Sequence, residues 1–159
     1  GHRPPWIPFY QLATKLPLAG ALMGLLLKSD RFVRSSMALG GFYSDRGLFR
    51  DPKNLTPYIE PLISSPHRLS GMMAYLRDIE WDMVDSLRER HGDIEAHTLL
   101  IWGEDDKTFP VEMAEAMCAQ FTAPCNLVRI PGASLMPQEE RPTEVLKALV
   151  PFLQSVTVR

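Results

Sequence analysis

Residues 98–110 read Thr-Leu-Leu-Ile-Trp-Gly-Glu-Asp-Asp-Lys-Thr-Phe-Pro, and this stretch decides the fold class. Its first five residues form a continuous, mainly apolar run, which is typical of a strand buried on both faces of a parallel sheet. A polar loop from Gly103 to Phe109 follows the strand. Pro110 then begins a helix that we expect to run to about Phe121, because proline fits the first turn of a helix. The stretch therefore predicts a strand–loop–helix unit.

A second unit of the same kind completes the chain. Residues 126–130 (Asn-Leu-Val-Arg-Ile) are the second predicted strand, which Pro131 and Gly132 end. Pro142 begins the last helix, and the apolar face of that helix carries Val145, Leu146, Leu149, Phe152 and Leu153. Strands that alternate with helices indicate right-handed crossovers between parallel strands. The predicted fold class is α/β, with two parallel strands and flanking helices.

The chain before residue 97 has no convincing strand and predicts helices joined by loops. The clearest helix is expected from about Leu69 to Arg90, where apolar residues recur at steps of three and four. The other expected elements are an extended lead-in at 4–8, one or two helices in 9–28 broken at Pro17, a helix within 30–49, a turn at 51–54, a short helix from Thr56 and a loop at 64–67. This change in pattern divides the chain into a helical region, 1–95, and an α/β portion, 96–159.

Composition and charge exclude several functional classes. Of the 159 residues, 45% are apolar and 23% are charged, as in an ordinary globular protein, and the net charge of -2 gives no reason to expect nucleic acid as a partner. The longest apolar run, 16–27, contains Pro17 and has about half of the ~20 residues that a transmembrane helix needs. We therefore expect no membrane span. Gly20 and Gly24 indicate close packing between helices instead.

The two cysteines, Cys118 and Cys125, are seven residues apart and have no cluster of histidines beside them, which is not the pattern of a zinc site. A disulfide between them is compatible with the spacing. The preferred interpretation is a cytoplasmic protein with two free thiols, since disulfides are rare in that compartment. The sequence predicts neither a metal nor a cofactor.

Two loops are the candidates for chemistry, because function collects beyond the carboxyl ends of the strands of an open parallel sheet. The loop after the first strand carries the carboxylates of Glu104, Asp105 and Asp106. Taken alone, this is the composition of a solvated acidic loop. The loop after the second strand, 131–142, offers Ser134 as its nucleophile, but no sharp strand-to-helix turn of the G-x-S-x-G kind surrounds it.

At these two loops the chain resembles the α/β-hydrolase family. In that family a strand ending in W-G-x-x-D supplies the acid of a Ser/Asp–His–Asp triad, and residues 102–106 match this motif with Asp106 at the acid position. The next strand of the family ends in P-G-x-G-H and continues L-P-x-x-E-x-P, which residues 131–133 and 137–142 match on both flanks. The resemblance covers 97–155 strongly, and residues 4–95 loosely match the family's helical cap. It implies the C-terminal portion of an α/β-hydrolase.

The chain departs from the family pattern in two respects. Aligning both flanks without a gap places Leu135 where the family has its catalytic histidine, and Ser134 where it has glycine. Leucine has no proton to accept or donate, so it cannot act as the general base. The chain also has no G-x-S-x-G nucleophile elbow, which lies upstream of the cap in this family. His2, His67, His91 and His97 are the four histidines, and none occupies the motif position.

The resemblance implies that the chain is a fragment of an esterase-like hydrolase that acts on an ester or other small acyl substrate, with Asp106 retained and the histidine lost. Leu135 and Phe109 would line its substrate pocket. We expect the chain alone to be inactive. The alternative is a non-catalytic pseudoenzyme that binds a ligand or acts as a scaffold. The expected partners are a small molecule and either the N-terminal half of the same fold or a second copy of the chain.

One branch of the family, the epoxide hydrolases, uses cap tyrosines to activate an epoxide. Tyr43, Tyr58 and Tyr75 lie in the region that resembles the cap. Nothing in the sequence around them supports that role, and packing is the preferred interpretation of these three side chains.

Overall fold

The computed structural model describes residues 7–49, 54 and 56–157. Its strands are β1 (Thr98–Gly103) and β2 (Cys125–Ile130). Its helices are α1 (Ile7–Thr14), α2 (Ala19–Leu27), α3 (Asp30–Val33), α4 (Thr56–Ile63), α5 (Pro66–Arg77), α6 (Trp81–Arg90), α7 (Val111–Cys118), α8 (Pro137–Glu140) and α9 (Pro142–Thr157). Short 3₁₀ turns lie at Leu39–Gly41, Arg46–Phe49 and His91–Asp93.

The described residues form two compact units. The sheet unit contains Phe42–Asp45 and the chain from Asp82 onward, and the helical unit contains the residues up to Gly41 together with 46–81. These units describe packing, so the assignment of 1–95 as a cap and 96–159 as a core portion stays a prediction.

The sheet unit confirms the predicted α/β architecture. β1 and β2 are parallel neighbours in register from Thr98 opposite Cys125 to Gly103 opposite Ile130. Helix α7 connects them, and α7 and α9 both pack on the strands. The residues of β1 are half-buried, apart from the buried Gly103, so the predicted burial on both faces is wrong. The reason is that, within the described residues, the sheet has two strands and offers β1 a neighbour along one edge alone.

In the helical unit, the predicted break near Pro17 is confirmed, because α1 ends at Thr14 and α2 begins at Ala19. Helix α2 packs against α5 so closely at Gly24 that a Cβ there would lie 2.8 Å from Leu69 Cδ2. Gly20 faces open space. The glycine spacing thus marks close packing at one of its two positions.

The single helix expected at 69–90 is wrong, since the chain forms α5 and α6 with a break between Arg77 and Trp81. Within the break, the main-chain oxygen of Ile79 accepts hydrogen bonds from Gln11 Nε2 at 3.0 Å and from the N–H of Trp81 at 3.1 Å. Arg77 Nε also pairs with Asp78 Oδ1 at 2.8 Å. The apolar periodicity continues across the break and therefore could not reveal it.

Several predicted boundaries also shift. The lead-in expected at 4–8 is wrong at Ile7 and Pro8, which begin α1 because proline suits a first turn. The loop expected at 64–67 is shorter for the same reason, since Pro66 begins α5. The helix expected in 30–49 is confined to α3 and two 3₁₀ turns, and the helix after Pro110 ends at Cys118. The short helix from Thr56 is confirmed as α4. Residues 4–6 and 51–53 of the expected lead-in and turn lie outside the described residues.

The interpretation of two free thiols is wrong, because Cys118 and Cys125 form a disulfide with their Cα atoms 5.6 Å apart. The short connection between α7 and β2 folds back on itself and brings the end of the helix beside the start of the strand, within the reach of a disulfide.

Among the described residues, no single helix has both the length and the apolar composition to cross a membrane. Helices α1 and α2 meet that test together, with a bend of 106° between them.

Candidate active site

The loops that follow β1 and β2 lie side by side at the carboxyl end of the sheet. Glu104 N donates to Ile130 O at 3.1 Å, and Asp105 N donates to Ala133 O at 2.9 Å. The parallel register produces this arrangement, since both strands end at the same edge. The two loops that carry the family motifs are therefore neighbours.

Glycine is required where β1 ends. A Cβ at Gly103 would lie 2.1 Å from Ser134 O and 2.4 Å from Ala133 O, closer than any side chain can approach. Gly132, in the facing loop, has a φ of 67°, in the left-handed region that favours glycine. The glycines of both motifs thus allow the two loops to touch through their main chains.

Asp106 is the buried carboxylate of the acidic loop, with 5% of its surface exposed, whereas Glu104 and Asp105 are exposed. Its Oδ1 accepts hydrogen bonds from the main-chain N–H groups of Thr108 at 2.8 Å and Phe109 at 2.9 Å. Burial raises the pKa of the Asp106 carboxyl, and these two N–H donors offset part of that rise. No described residue donates a hydrogen bond to the other oxygen of Asp106, Oδ2.

Phe109 belongs to the same loop through its main chain. Its N–H bonds Asp106, and its carbonyl accepts a hydrogen bond from Trp102 Nε1 at 2.8 Å. The tryptophan at the end of β1 thus anchors the far end of the loop. Whether the half-buried Phe109 side chain lines a substrate pocket stays a prediction.

Ser134 and Leu135 lie in the second loop. Ser134 is 3% exposed, and its main-chain N–H donates to Glu140 Oε2 at 2.6 Å. Leu135 is half-buried. The loop is next to the one that holds Asp106, as the motif spacing predicts.

The described histidines make their contacts in other places. His91 Nδ1 lies 2.7 Å from Gln120 Oε1, and the imidazole stacks on Phe121 with ring centroids 5.3 Å apart. His97 meets the edge of Phe152 and lies 3.3 Å from Asn126 Nδ2. His67 is in α5 of the helical unit. Within the described residues, no three His, Cys, Asp or Glu side chains come together as metal ligands.

Known proteins share this architecture. A solved structure described as MGS-M2, an alpha/beta hydrolase enzyme from a Medee basin deep-sea metagenome library, superposes with a TM-score of 0.64 over 95% of this chain and 52% of its own, at 18% identity. Human Epoxide hydrolase 4 is 32% identical over 105 residues, which are 66% of this chain and 28% of that protein. The chain therefore has the α/β-hydrolase fold.

The chain spans about half the length of the solved α/β-hydrolase and 28% of its human relative. Together with the helices that precede two parallel strands, this coverage corresponds to a C-terminal portion of an α/β-hydrolase. A search of protein-family models finds no match.

The sequence interpretation missed one group in this α/β-hydrolase portion. Glu140 is 7% exposed and accepts hydrogen bonds from the main-chain N–H groups of Ser44 at 2.6 Å and Asp45 at 2.8 Å, in addition to that of Ser134. The glutamate of the E-x-P motif at 140–142 was the available signal, because a motif carboxylate that is not an acid or base must hold something in place.

The three tyrosines of the region that resembles the cap differ in burial. Tyr43 is 8% exposed and its hydroxyl donates to Glu139 Oε2 at 2.5 Å, whereas Tyr58 and Tyr75 are exposed. Ser44 Oγ donates to Asp105 Oδ2 at 3.3 Å. The short segment 43–45 is therefore bound to both loops of the candidate site.

Proposed function

We propose that this chain is the C-terminal part of a hydrolase of small acyl substrates in which Asp106 occupies the acid position and Leu135 has replaced the base. The observation that carries the proposal is the geometry of Asp106. Its carboxylate is buried, is fixed through Oδ1 by two N–H groups, and lies on a loop that touches the loop of Leu135.

The chemistry of a triad explains the expected loss of activity. The acid orients the imidazole of the base and stabilises the imidazolium that forms when the base takes the nucleophile's proton. Leu135 has no nitrogen to orient, so Asp106 would have nothing to act on. Removing the histidine of such a unit costs about as much as removing the whole unit, of the order of 10⁶-fold in turnover.

An epoxide is the second candidate for the substrate class, and the 32% identity to a protein named Epoxide hydrolase 4 favours it. Ester and epoxide hydrolysis in this family differ in the nucleophile, a serine or an aspartate. That residue would precede the helical region, so an upstream G-x-S-x-G favours esters and G-x-D-x-G favours epoxides.

The test restores the base. We expect the Leu135→His variant, combined with an N-terminal half that carries the nucleophile elbow, to hydrolyse either p-nitrophenyl acetate or styrene oxide, and the wild-type combination to hydrolyse neither. Leu146→His, at an exposed position of α9, is the matched control and should stay inactive.

Two results would count against the proposal. A correctly folded Leu135→His complex without turnover favours the second function, a non-catalytic protein that binds a ligand at the former active site. Turnover by the wild-type chain that Ser134→Ala abolishes would instead make Ser134 the nucleophile.

The remaining expectations belong to this proposal. They are a small-molecule ligand, an N-terminal half or second copy as partner, and a cytoplasmic location. The disulfide between Cys118 and Cys125 counts against a cytoplasmic location, since the reducing cytoplasm keeps most thiols from forming disulfides.

A further inference from the structure

We propose that Glu140 is a positioning residue that couples the segment 43–45 to the loop of Ser134 and Leu135, so that the place of residue 135 depends on how that segment lies. This inference goes beyond the proposed function, because it concerns neither Asp106 nor turnover.

The carboxylate of Glu140 works as a three-point clamp. Oε1 accepts the N–H groups of Ser44 at 2.6 Å and Asp45 at 2.8 Å, and Oε2 accepts the N–H of Ser134 at 2.6 Å. Hydrogen bonds from N–H groups to a carboxylate are shorter and stronger than those between neutral groups. Each oxygen thus holds a different segment, and one rigid group fixes the distance between them.

The clamp itself has a fixed base. Glu140 is the last residue of α8, whose first residue, Pro137, is buried. Glu140 N donates to Met136 O at 3.1 Å, and Arg141 N donates to Pro137 O at 2.8 Å. The backbone that carries the carboxylate is therefore held on both sides, so the clamp cannot follow one segment without pulling the other.

Two further contacts tie the segment to the same site. Tyr43 donates to Glu139 at 2.5 Å, and Ser44 Oγ donates to Asp105 at 3.3 Å, next to Asp106 in the acidic loop. Phe42–Asp45 is also the one stretch between residues 7 and 81, as far as the structure describes them, that packs within the sheet unit. A displacement of this stretch must therefore move both loops of the candidate site.

A glutamine cannot replace the clamp, although it has the same size. A carboxylate has two acceptor oxygens, whereas an amide has one oxygen and an NH₂ group that only donates. In the Glu140→Gln variant, either Ser134 or the Ser44–Asp45 pair must face the NH₂ group and lose its acceptor. Glu144→Gln makes the same chemical change at an exposed position two residues into α9 and is the matched control.

The experiment follows three amide protons by NMR, in the longest natural chain that contains these residues. In the Glu140→Gln variant we expect the Ser44, Asp45 and Ser134 amide resonances to move upfield, and the amides on the side that loses its acceptor to exchange about tenfold faster. Glu144→Gln should leave all three unchanged.

A second variant tests the coupling between segment 43–45 and the loop of Ser134. If Glu140 made only independent local hydrogen bonds, a change at residue 45 would leave the Ser134 amide resonance unchanged. Asp45→Pro removes one N–H donor to Glu140 and leaves the Glu140 carboxylate intact. We expect this variant to shift the amide resonance of Ser134, which is bound to the other oxygen of Glu140. The proposal is overturned if the three amides have the same chemical shifts and exchange rates in Glu140→Gln as in Glu144→Gln. It is also overturned if the Ser134 amide resonance does not shift in Asp45→Pro. If Glu140→Gln does not fold, the Asp45→Pro result decides. Neither measurement needs enzymatic activity, so failure here is separate from failure of the proposed function.

Discussion

Asp106 lies in an environment that favours its neutral form. Burial raises the pKa of its carboxyl above the usual range for aspartate, with the N–H groups of Thr108 and Phe109 acting in the opposite direction. Because the folded state holds this proton more tightly than the unfolded chain, the carboxyl stabilises the fold most at low pH. That contribution is lost as the pH rises through the raised pKa.

The Asp106→Asn variant tests this sign. Asparagine does not titrate, and its Oδ1 can accept the same two N–H groups. We expect the variant to gain stability relative to the wild type as the pH rises from the usual aspartate range through the raised pKa, and to keep that gain above it. Urea unfolding of both proteins between about pH 3 and pH 8 measures the difference.

Asp106→Ala is the control for the loss of the acceptor. It leaves the half-buried N–H groups of Thr108 and Phe109 without the Asp106 acceptor and should cost about 1–3 kcal/mol. An Asp106→Asn variant that instead loses stability with rising pH would show that an unseen donor stabilises the ionised carboxylate.

At the residue scale, the sequence predicted what is local and missed what is distant. The motif around Asp106 is complete within five residues, so the spacing of the two motifs predicted that the acidic loop and the loop of Leu135 are neighbours. Glu140 could not be interpreted in that way, because two of its three partners, Ser44 and Asp45, lie 96 and 95 positions away. No pattern in one sequence connects residues at such separation.

At the element scale, the types of most elements followed from the sequence, while their ends followed from tertiary contacts. A continuous apolar run predicted β1, the stretch 126–130 that ends at Pro131 and Gly132 predicted β2, and Thr56-Pro57 predicted α4. At the break between α5 and α6, Ile79 accepts a hydrogen bond from Gln11, which lies 68 positions earlier in the chain. Helix periodicity is a local signal and does not contain this contact.

The disulfide between α7 and β2 gives a prediction at this scale. It closes a short loop, with a sequence separation of seven residues, and fixes the end of the helix to the strand. Reduction should lower the free energy of unfolding by about 2–3 kcal/mol, mainly by freeing the unfolded chain.

Guanidinium unfolding with and without a reductant measures this effect. The Cys118→Ser/Cys125→Ser double variant is the control, because it should unfold like the reduced protein whether the reductant is present or not. The disulfide is contradicted if the wild-type unfolding curve is the same with and without reductant and two thiols of the folded protein react with a thiol reagent. Cys118 and Cys125 would then be free thiols.

At the scale of the whole molecule, the chain buries little for its length. No large side chain among the described residues is completely buried. In the helical unit Phe9, Leu18 and Met37 are 77%, 80% and 86% exposed, and in the sheet unit α9 exposes Leu146 and Leu153. A chain of this size normally buries about two thirds of its surface on folding. We therefore expect further polypeptide to cover the exposed apolar residues of each unit.

This expectation becomes specific at the edge of β1 that faces away from β2, which no strand among the described residues pairs with. Thr98 N donates to Pro124 O and Glu104 N donates to Ile130 O, so the alternation along a strand directs the N–H groups of Leu99 and Ile101 away from β2. An apolar strand with unpaired donors on one edge attracts another strand, and two strands rarely make a stable sheet. The solved α/β-hydrolase, of which this chain covers 52%, contains further polypeptide.

We therefore predict that backbone from the N-terminal half of the same fold, or from a second copy of this chain, pairs with β1 along this edge. Size-exclusion chromatography with light scattering should show the isolated chain as a dimer or larger species, and addition of the N-terminal half should convert it to a 1:1 complex. Ile101→Pro removes a donor on the free edge and should weaken both associations. Leu100→Pro, which removes a donor to β2, should unfold the sheet instead. A soluble wild-type monomer with a cooperative melt would show that the two strands suffice and that β1 needs no partner.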